Sequence, residues 1–152
     1  MSLTIRPAAA GDCETIVEFN RLLALESEDL CLDGETLRLG VSAVLADPAK
    51  GRYFVAERGG QVVGQVMITP EWTDWRNGWM WWLQSVYVRA EARRLGVFRA
   101  LFEHVYELAR TDGSVRGIRL YVERDNHAAQ ATYARHGLTL IPFLLFQRAP
   151  VD

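Results

Sequence analysis

The chain has 152 residues, 49% of them hydrophobic and 24% charged, which suits one domain over residues 1–152 with a core large enough to fold alone. Its formal net charge of −2 leaves no basic surplus, and this argues against a general nucleic-acid role built on phosphate neutralisation. The first residues, MSLTIRPAAAGD, have no charged stretch followed by an apolar run. No apolar segment approaches the roughly 18 to 20 residues that span a bilayer, so the expected location is the cytoplasm.

Leu3 to Arg6 alternate as a short strand, and Asp12 then precedes Ile16, Phe19 and Leu23 at helical spacing. After the acidic, irregular ESEDLCLD, Asp33 can cap a second helix that carries Leu37, Val41, Val44 and Leu45 and ends at DPAKG. RYFVAE and QVVGQVMIT flank RGG, the pattern of a hairpin. PEWTDWRNG reads as a polar loop, opened by proline and closed by glycine, before a long strand from Trp79 to Val88. The next helix runs from Val97 to about Arg110. It buries Val97, Leu101, Val105 and Leu108, sets Arg99, Glu103, Glu107 and Arg110 opposite, and stops at DGSVRG. Ile118, Leu120 and Val122 alternate as a strand, Asn126 can cap a helix over His127 to Arg135, and Gly137 supplies a left-handed stop. The final LTLIPFLLFQR is β-rich, with Pro142 marking a bend or an edge. This order predicts an α+β fold in which the strand, helix and strand of residues 79–122 form a parallel crossover.

Cys13 and Cys31 have no metal-ligand spacing and are expected as free thiols. His104, His127 and His136 lie apart with no ligand pattern, and no metal is implied.

RRLGVFRALFEHV, residues 93–105, places two arginines and a glycine directly before a helix. A helix start offers unpaired N–H groups and partial positive charge, so Arg93, Arg94 and Gly96 form a candidate anion site. The spacing is neither that of a nucleotide-triphosphate loop nor that of a dinucleotide fingerprint. A capped helix with solvated arginines would read the same way, but a second motif follows about 30 residues later. NHAAQATYARHGL resembles the N-x-x-A-x-x-Φ-Y-x-x-x-G-F segment of the GNAT superfamily of acyl-CoA N-acyltransferases. Asn126, Ala129, Tyr133 and Gly137 are in register, and Leu138 stands in the usual phenylalanine place. RRLGVF then resembles that superfamily's Q/R-x-x-G-x-G/A loop, with Arg93 and Gly96 matching and Phe98 departing.

The resemblance extends over essentially the whole chain. It implies a three-layer fold, with a mixed, largely antiparallel central sheet flanked by helices, and acetyl-CoA as co-substrate. A V-shaped opening is expected between the strand that ends near Val88 and the strand near Val122. The pantetheine arm would pair with exposed backbone there, with the N–H of Val88 or of a neighbour such as Val86 polarising the thioester carbonyl. The pyrophosphate would rest on Arg94, Leu95, Gly96, Val97, Phe98 and Arg99, with Arg93, Asn126 and Ala129 completing the cofactor contacts. At Phe98 a phenyl ring must turn away for phosphate to approach the backbone, so an altered cofactor fit is expected. Tyr133 matches the residue that, in many relatives, protonates the departing thiolate; the plainer alternative is an aromatic that only packs.

Many relatives carry a glutamate as base on the strand leading to the loop, but here the stretch is WWLQSVYV, and Gln84 and Ser85 cannot serve. A water chain or a carboxylate from elsewhere, with Glu71, Asp74, Glu26 and Glu28 as candidates, must help an amine that is overwhelmingly protonated at neutral pH. All five tryptophans lie within residues 72–82. Trp79, Trp81 and Trp82 suit packing on a strand, whereas Trp72 and Trp75, in the expected loop with Glu71 and Asp74, could hold a cationic amine. That loop and the acidic ESEDL segment with Glu26 and Glu28 resemble the acceptor entrance of polyamine and thialysine acetyltransferases. The expectation is therefore an acetyl-CoA-dependent N-acetyltransferase acting on a small cationic primary amine by direct transfer in a ternary complex, and a homodimer. A protein N-terminus or lysine as acceptor, or a non-catalytic acyl-CoA-binding module, remain the alternatives.

Overall fold

The structure, a computed structural model, describes residues 2–151. The chain divides into two compact units, Met1–Tyr121 and Val122–Asp152. The first holds β1 (Leu3–Pro7), β2 (Arg52–Arg58), β3 (Gln61–Thr73), β4 (Gly78–Val88) and β5 (Val115–Leu120), hydrogen-bonded in the order β1-β2-β3-β4-β5. Successive strands pair antiparallel until β4 and β5, which run parallel because the helix α3 (Val97–Thr111) returns the chain between them. The sheet is thus mixed and largely antiparallel, and the crossover lies where helical and alternating periodicities follow one another in the sequence.

Two further helices, α1 (Cys13–Glu28) and α2 (Gly34–Ala46), precede β2. The Asp33 carboxylate accepts from Thr36 N–H at 2.9 Å and so caps α2 as its sequence position predicts. Gly59 and Gly60, both with positive φ, close the β2–β3 hairpin, because a two-residue turn matching the strand twist needs left-handed backbone. Strand alternation then sorts the core. Tyr53 packs with Ile16, Val17 and Val41 under α1 and α2, while the next residue, Phe54, meets the His104 ring of α3 at 5.2 Å, so the two helical layers lie on opposite faces. Gly64 sets the depth of α3: a Cβ there would stand 2.8 Å from a Val97 methyl.

Four expectations are corrected. Much of PEWTDWRNG is strand rather than loop, for β3 runs to Thr73 and pairs Glu71 with Met80 and Trp72 with Trp79, leaving a tight turn at 74–77. Proline is tolerated there because β2 stops pairing at Ile68, so Pro70 lies on an edge where its missing N–H is not needed. On α3 it is Phe102 and Ala109 that are buried, with Leu108 only half-buried. β5 begins at Val115, inside the expected helix stop, and ends before Val122.

The second unit, taken by itself, contains α4 (His127–Arg135) and a tail. Asn126 Oδ1 accepts from Ala129 N–H at 3.1 Å, and Gly137 at φ 85° ends the helix with Leu138 N–H donating to Tyr133 O. The last correction lies here. The run 138–148 forms no strand, and Leu140, Phe143, Leu144 and Phe146 are exposed. β propensity expresses fit to a pleated, half-buried surface, and without a neighbouring strand it has nothing to act on.

Candidate functional site

β4 carries an irregularity that opens the sheet. Its register on β3 slips, with Met67 opposite Gln84 but Gln65 opposite Tyr87, so Ser85 and Val86 together face one residue. Ser85 adopts φ 52°, a left-handed value unusual for serine, and its carbonyl accepts from the fully buried Gln65 Nε2 at 2.9 Å. Gln65 Oε1 is buried with no hydrogen-bond partner among the described residues. On the other side β5 pairs only with Trp79–Leu83. From Gln84 to Val88, therefore, β4 has β3 on one edge and, among the described residues, no strand on the other. A bulge bends and twists its strand, and an unpaired edge offers N–H and C=O groups to an extended ligand.

Beyond Val88 the chain makes a short 3-10 turn, Ala90–Ala92, and enters α3 through a loop in which Arg94 and Gly96 both have positive φ, 65° and 81°. The helix's first own bond is Ala100 N–H to Gly96 O, so the N–H groups of its first turn point out of the helix. A Cβ at Gly96 would meet nothing within 4 Å, and the space over this helix start is open. The Phe98 ring lies along α3, 6.0 Å from Phe102.

The three arginines in and just after the loop are not equivalent. Arg93 donates to Val88 O at 2.9 Å and to Glu26 Oε1 at 2.7 Å, while Glu26 Oε2 accepts from the Tyr87 hydroxyl at 2.7 Å. Arg93 and Tyr87 together hold the Glu26 carboxyl below its usual range, and burial with Glu26 pushes the Tyr87 phenol up to about 12. Arg99 pairs with Glu103 one turn on. Arg94 enters no ion pair among the described residues.

The structure thus brings Val86, Val88 and residues 93–99 together at one end of β4. It brings Glu26 there too, as a partner of Arg93, while Glu28 is exposed at the end of α1. It does not bring the hairpin tip. Ser85 lies seven residues along β4 from Gly78, about 23 Å at the usual strand rise. Glu71, opposite Met80 and so about 17 Å along β4 from Ser85, pairs with Arg119 at 3.3 Å; at the tip Trp72 packs edge-on against Trp79, Asp74 begins the turn, and Trp75 is 91% exposed.

A cleft of about 380 Å³ opens instead beside the bulge. Its floor crosses three strands, from Tyr53 on β2 through its register partner Met67 on β3 to Ser85 on β4. Its wall is one face of α2, with Asp33, Leu37, Gly40 and Val44 at helical spacing. Burial pushes the Tyr53 phenol above its usual value, only partly offset by hydrogen bonds with Ser85 and Asn20, so it stays protonated and able to donate. Sequence reasoning missed this cleft. The available signal was Gly40, a glycine inside a well-patterned helix.

In the second unit, Asn126 and Ala129 are hydrogen-bonded to each other as helix cap and first turn, which accounts for their spacing. Tyr133 is half-buried, and burial raises its phenol above the usual value. Among the described residues no cluster of His, Cys, Asp or Glu could hold a metal, and no helix is long and apolar enough to cross a membrane.

A parallel strand pair in which β4 outruns β5, followed by a glycine-opened helix start, is the kind of arrangement that suits an extended ligand with an anionic end. A sequence profile of the Acetyltransferase (GNAT) family matches residues 19–138, and the chain belongs to that family. It is 40% identical to a possible acetyltransferase from Clostridium difficile 630, with a TM-score of 0.93 and 100% of both chains covered. A predicted acetyltransferase with acetyl-CoA from Clostridium acetobutylicum shares the fold at 14% identity and a TM-score of 0.79, over 97% of this chain and 96% of that one. A ribosomal-protein-alanine N-acetyltransferase from Brucella melitensis biovar Abortus 2308 does so at 15% identity and a TM-score of 0.79, over 98% and 100%. Among curated proteins no significant match is found.

Proposed function

We propose that this chain transfers an acetyl group from acetyl-CoA to a small primary amine, by direct attack in a ternary complex without a covalent enzyme intermediate. The observation that carries this is the unpaired β4 edge at Gln84–Val88 running into an open helix start at Gly96. Backbone there suits a pantetheine arm, and the first-turn N–H groups with Arg94 suit a pyrophosphate. Acetyl-CoA supplies the activated thioester; the protein positions it, excludes water and handles protons. Tyr133 keeps its proton at neutral pH and is assigned as the donor to the departing sulfur, with the backbone N–H of Val86 or Val88 polarising the thioester carbonyl.

The amine enters through the cleft at Ser85. Gln84 and Ser85 are not bases, and Glu26 is neutralised by Arg93, so the amine's proton leaves through water in the cleft. The test is thiol release from acetyl-CoA across a panel of amines and peptides. Gly96→Asp, which sets a carboxylate at the helix start, should weaken acetyl-CoA binding by tenfold or more in calorimetry, and Gly96→Asn, which carries the same left-handed backbone strain without the charge, should weaken it much less. Unchanged affinity would move the phosphate site elsewhere.

We further infer a homodimer, on the strength of the apolar residues Leu140, Phe143, Leu144 and Phe146 left exposed in the tail. A monomeric mass by light scattering at micromolar concentration would overturn it.

A further inference from the structure

We propose that the cleft between α2 and the sheet selects a primary amine carried on an apolar body, an alkyl or arylalkyl monoamine, and disfavours amines with a second charge. The inference rests on the acetyl-transfer reading and adds the acceptor's chemistry to it. The cleft begins at Ser85, on the bulge that opens β4, so an amine nitrogen at that end lies where the edge is unpaired. The Tyr53 hydroxyl and Ser85 supply polar groups there. Leu32, Leu37, Val41, Val44 and Met67 give the rest of the ligand a mainly apolar surface, with Asn20, Asp33 and Thr36 as its other polar members.

Charge decides what that body can be. Asp33 is the one ionisable carboxylate in the lining, and its Oδ2 already accepts from both the N–H and the hydroxyl of Thr36. A second ammonium lodged beside Leu37, Val41, Val44 or Met67, away from Asp33 at the helix cap, would lose its hydration with only apolar groups next to it, whereas a methylene chain or ring gains by burial. Asp74 and Trp75 lie in the turn beyond Gly78, about 23 Å along β4 from the bulge, and Glu71, opposite Met80 and about 17 Å from Ser85, is already paired with Arg119.

Gly40 makes the proposal testable. It lies inside α2, on the cleft wall, and a Cβ there would meet nothing within 4 Å, so a side chain can start from this position without displacing an atom and take up cleft space as it lengthens. Replacing a mid-helix glycine also favours the helix.

The experiment measures thiol release from acetyl-CoA with linear monoamines of increasing length, phenethylamine, putrescine and spermidine, alongside calorimetric binding of the same amines. The expected result is kcat/KM rising roughly threefold to fourfold per added methylene until the cleft is filled, with the diamine and polyamine below the monoamine of equal length. Gly40→Leu should flatten that rise by raising KM for the longer amines tenfold or more, and Gly40→Ala should do so partially, both with unchanged acetyl-CoA affinity. A flat length dependence, a preference for spermidine, or indifference to both Gly40 variants overturns the inference while leaving acetyl transfer intact. Absence of thiol release with every acceptor, despite bound acetyl-CoA, overturns acetyl transfer instead. Calorimetry then decides the inference alone: length-dependent amine binding that Gly40→Leu weakens supports it, and absence of such binding overturns it.

Discussion

Arg93 directs its guanidinium at the protein itself. By bridging Val88 O and Glu26 it fastens the loop before α3 to the end of β4 and to the last turn of α1. The family motif places an arginine here, but only the geometry shows what its side chain does. Glu26→Gln keeps the shape and removes the charge, so the loop should become looser and acetyl-CoA affinity should fall roughly twofold to fivefold in calorimetry, the modest effect expected of a half-exposed pair. Tighter binding would show that Glu26 withholds Arg93 from phosphate. Tyr133 offers a sharper test. Burial raises its phenol, so a donor role leaves the reaction fully supplied with proton below the ordinary phenol value of 10.0, with loss only at higher pH. Tyr133→Phe should lower kcat by roughly ten- to ten-thousandfold with acetyl-CoA affinity nearly unchanged, and the alkaline limb of the wild-type kcat profile should lie above pH 10. Loss of binding with kcat preserved would make Tyr133 a packing residue.

Single elements decide where the acceptor can and cannot sit. The β3–β4 hairpin looked like a loop because proline, aspartate, asparagine and glycine cluster in it. Those residue types also suit an edge strand that closes in a tight turn, where Asn77 takes φ 49° and Arg116 holds the Arg76 and Asn77 carbonyls. With the tip at the far end of β4, Trp75→Ala combined with Asp74→Asn should leave acceptor KM within about twofold of wild type, for cationic and neutral-bodied amines alike. A selective rise for polyamines would return the tip to the site. α2 shows the converse. Its cap and apolar spacing were plain in the sequence, yet the same helix face does two things, packing Val41 into the core and walling the cleft with Gly40.

At the scale of the whole molecule, the sheet is tied to the helical layer by charge as well as by packing. Arg6 on β1 pairs with Asp12 at 2.8 Å and with Glu57 on β2 at 2.7 Å, and Asp12 Oδ2 also accepts from Ala9 N–H. Asp12 is nearly buried, and the Arg6 hydrogen bond above all holds its carboxyl below the usual 3.8, against the opposing effect of burial. A carboxylate depressed in the folded state stabilises fully above its unfolded value and stops doing so as pH falls through the lower folded value. The pair should therefore contribute at neutral pH and be lost below about pH 4. Asp12→Asn should cost about 1–3 kcal/mol at pH 7 and flatten the decline of the urea midpoint below pH 4. A variant that follows the wild-type acid decline would assign that decline to other carboxylates.

Local chemistry settled what the sequence could settle alone. Capping residues placed α2 and α4, paired glycines placed the β2–β3 turn, alternating and helical periodicities placed the crossover, and two spaced motifs named the family, because each of these signals acts over a few neighbouring residues. Contacts between residues far apart in the chain decided the rest. The register slip that frees the β4 edge depends on β3 lying beside it. The engagement of Arg93 depends on Glu26, 67 positions away. The cleft exists only because the fold sets α2 beside Tyr53, Met67 and Ser85, which come from three different strands. The tail from Leu138 shows the same limit from the other side, since β propensity becomes a strand only where a partner strand is present.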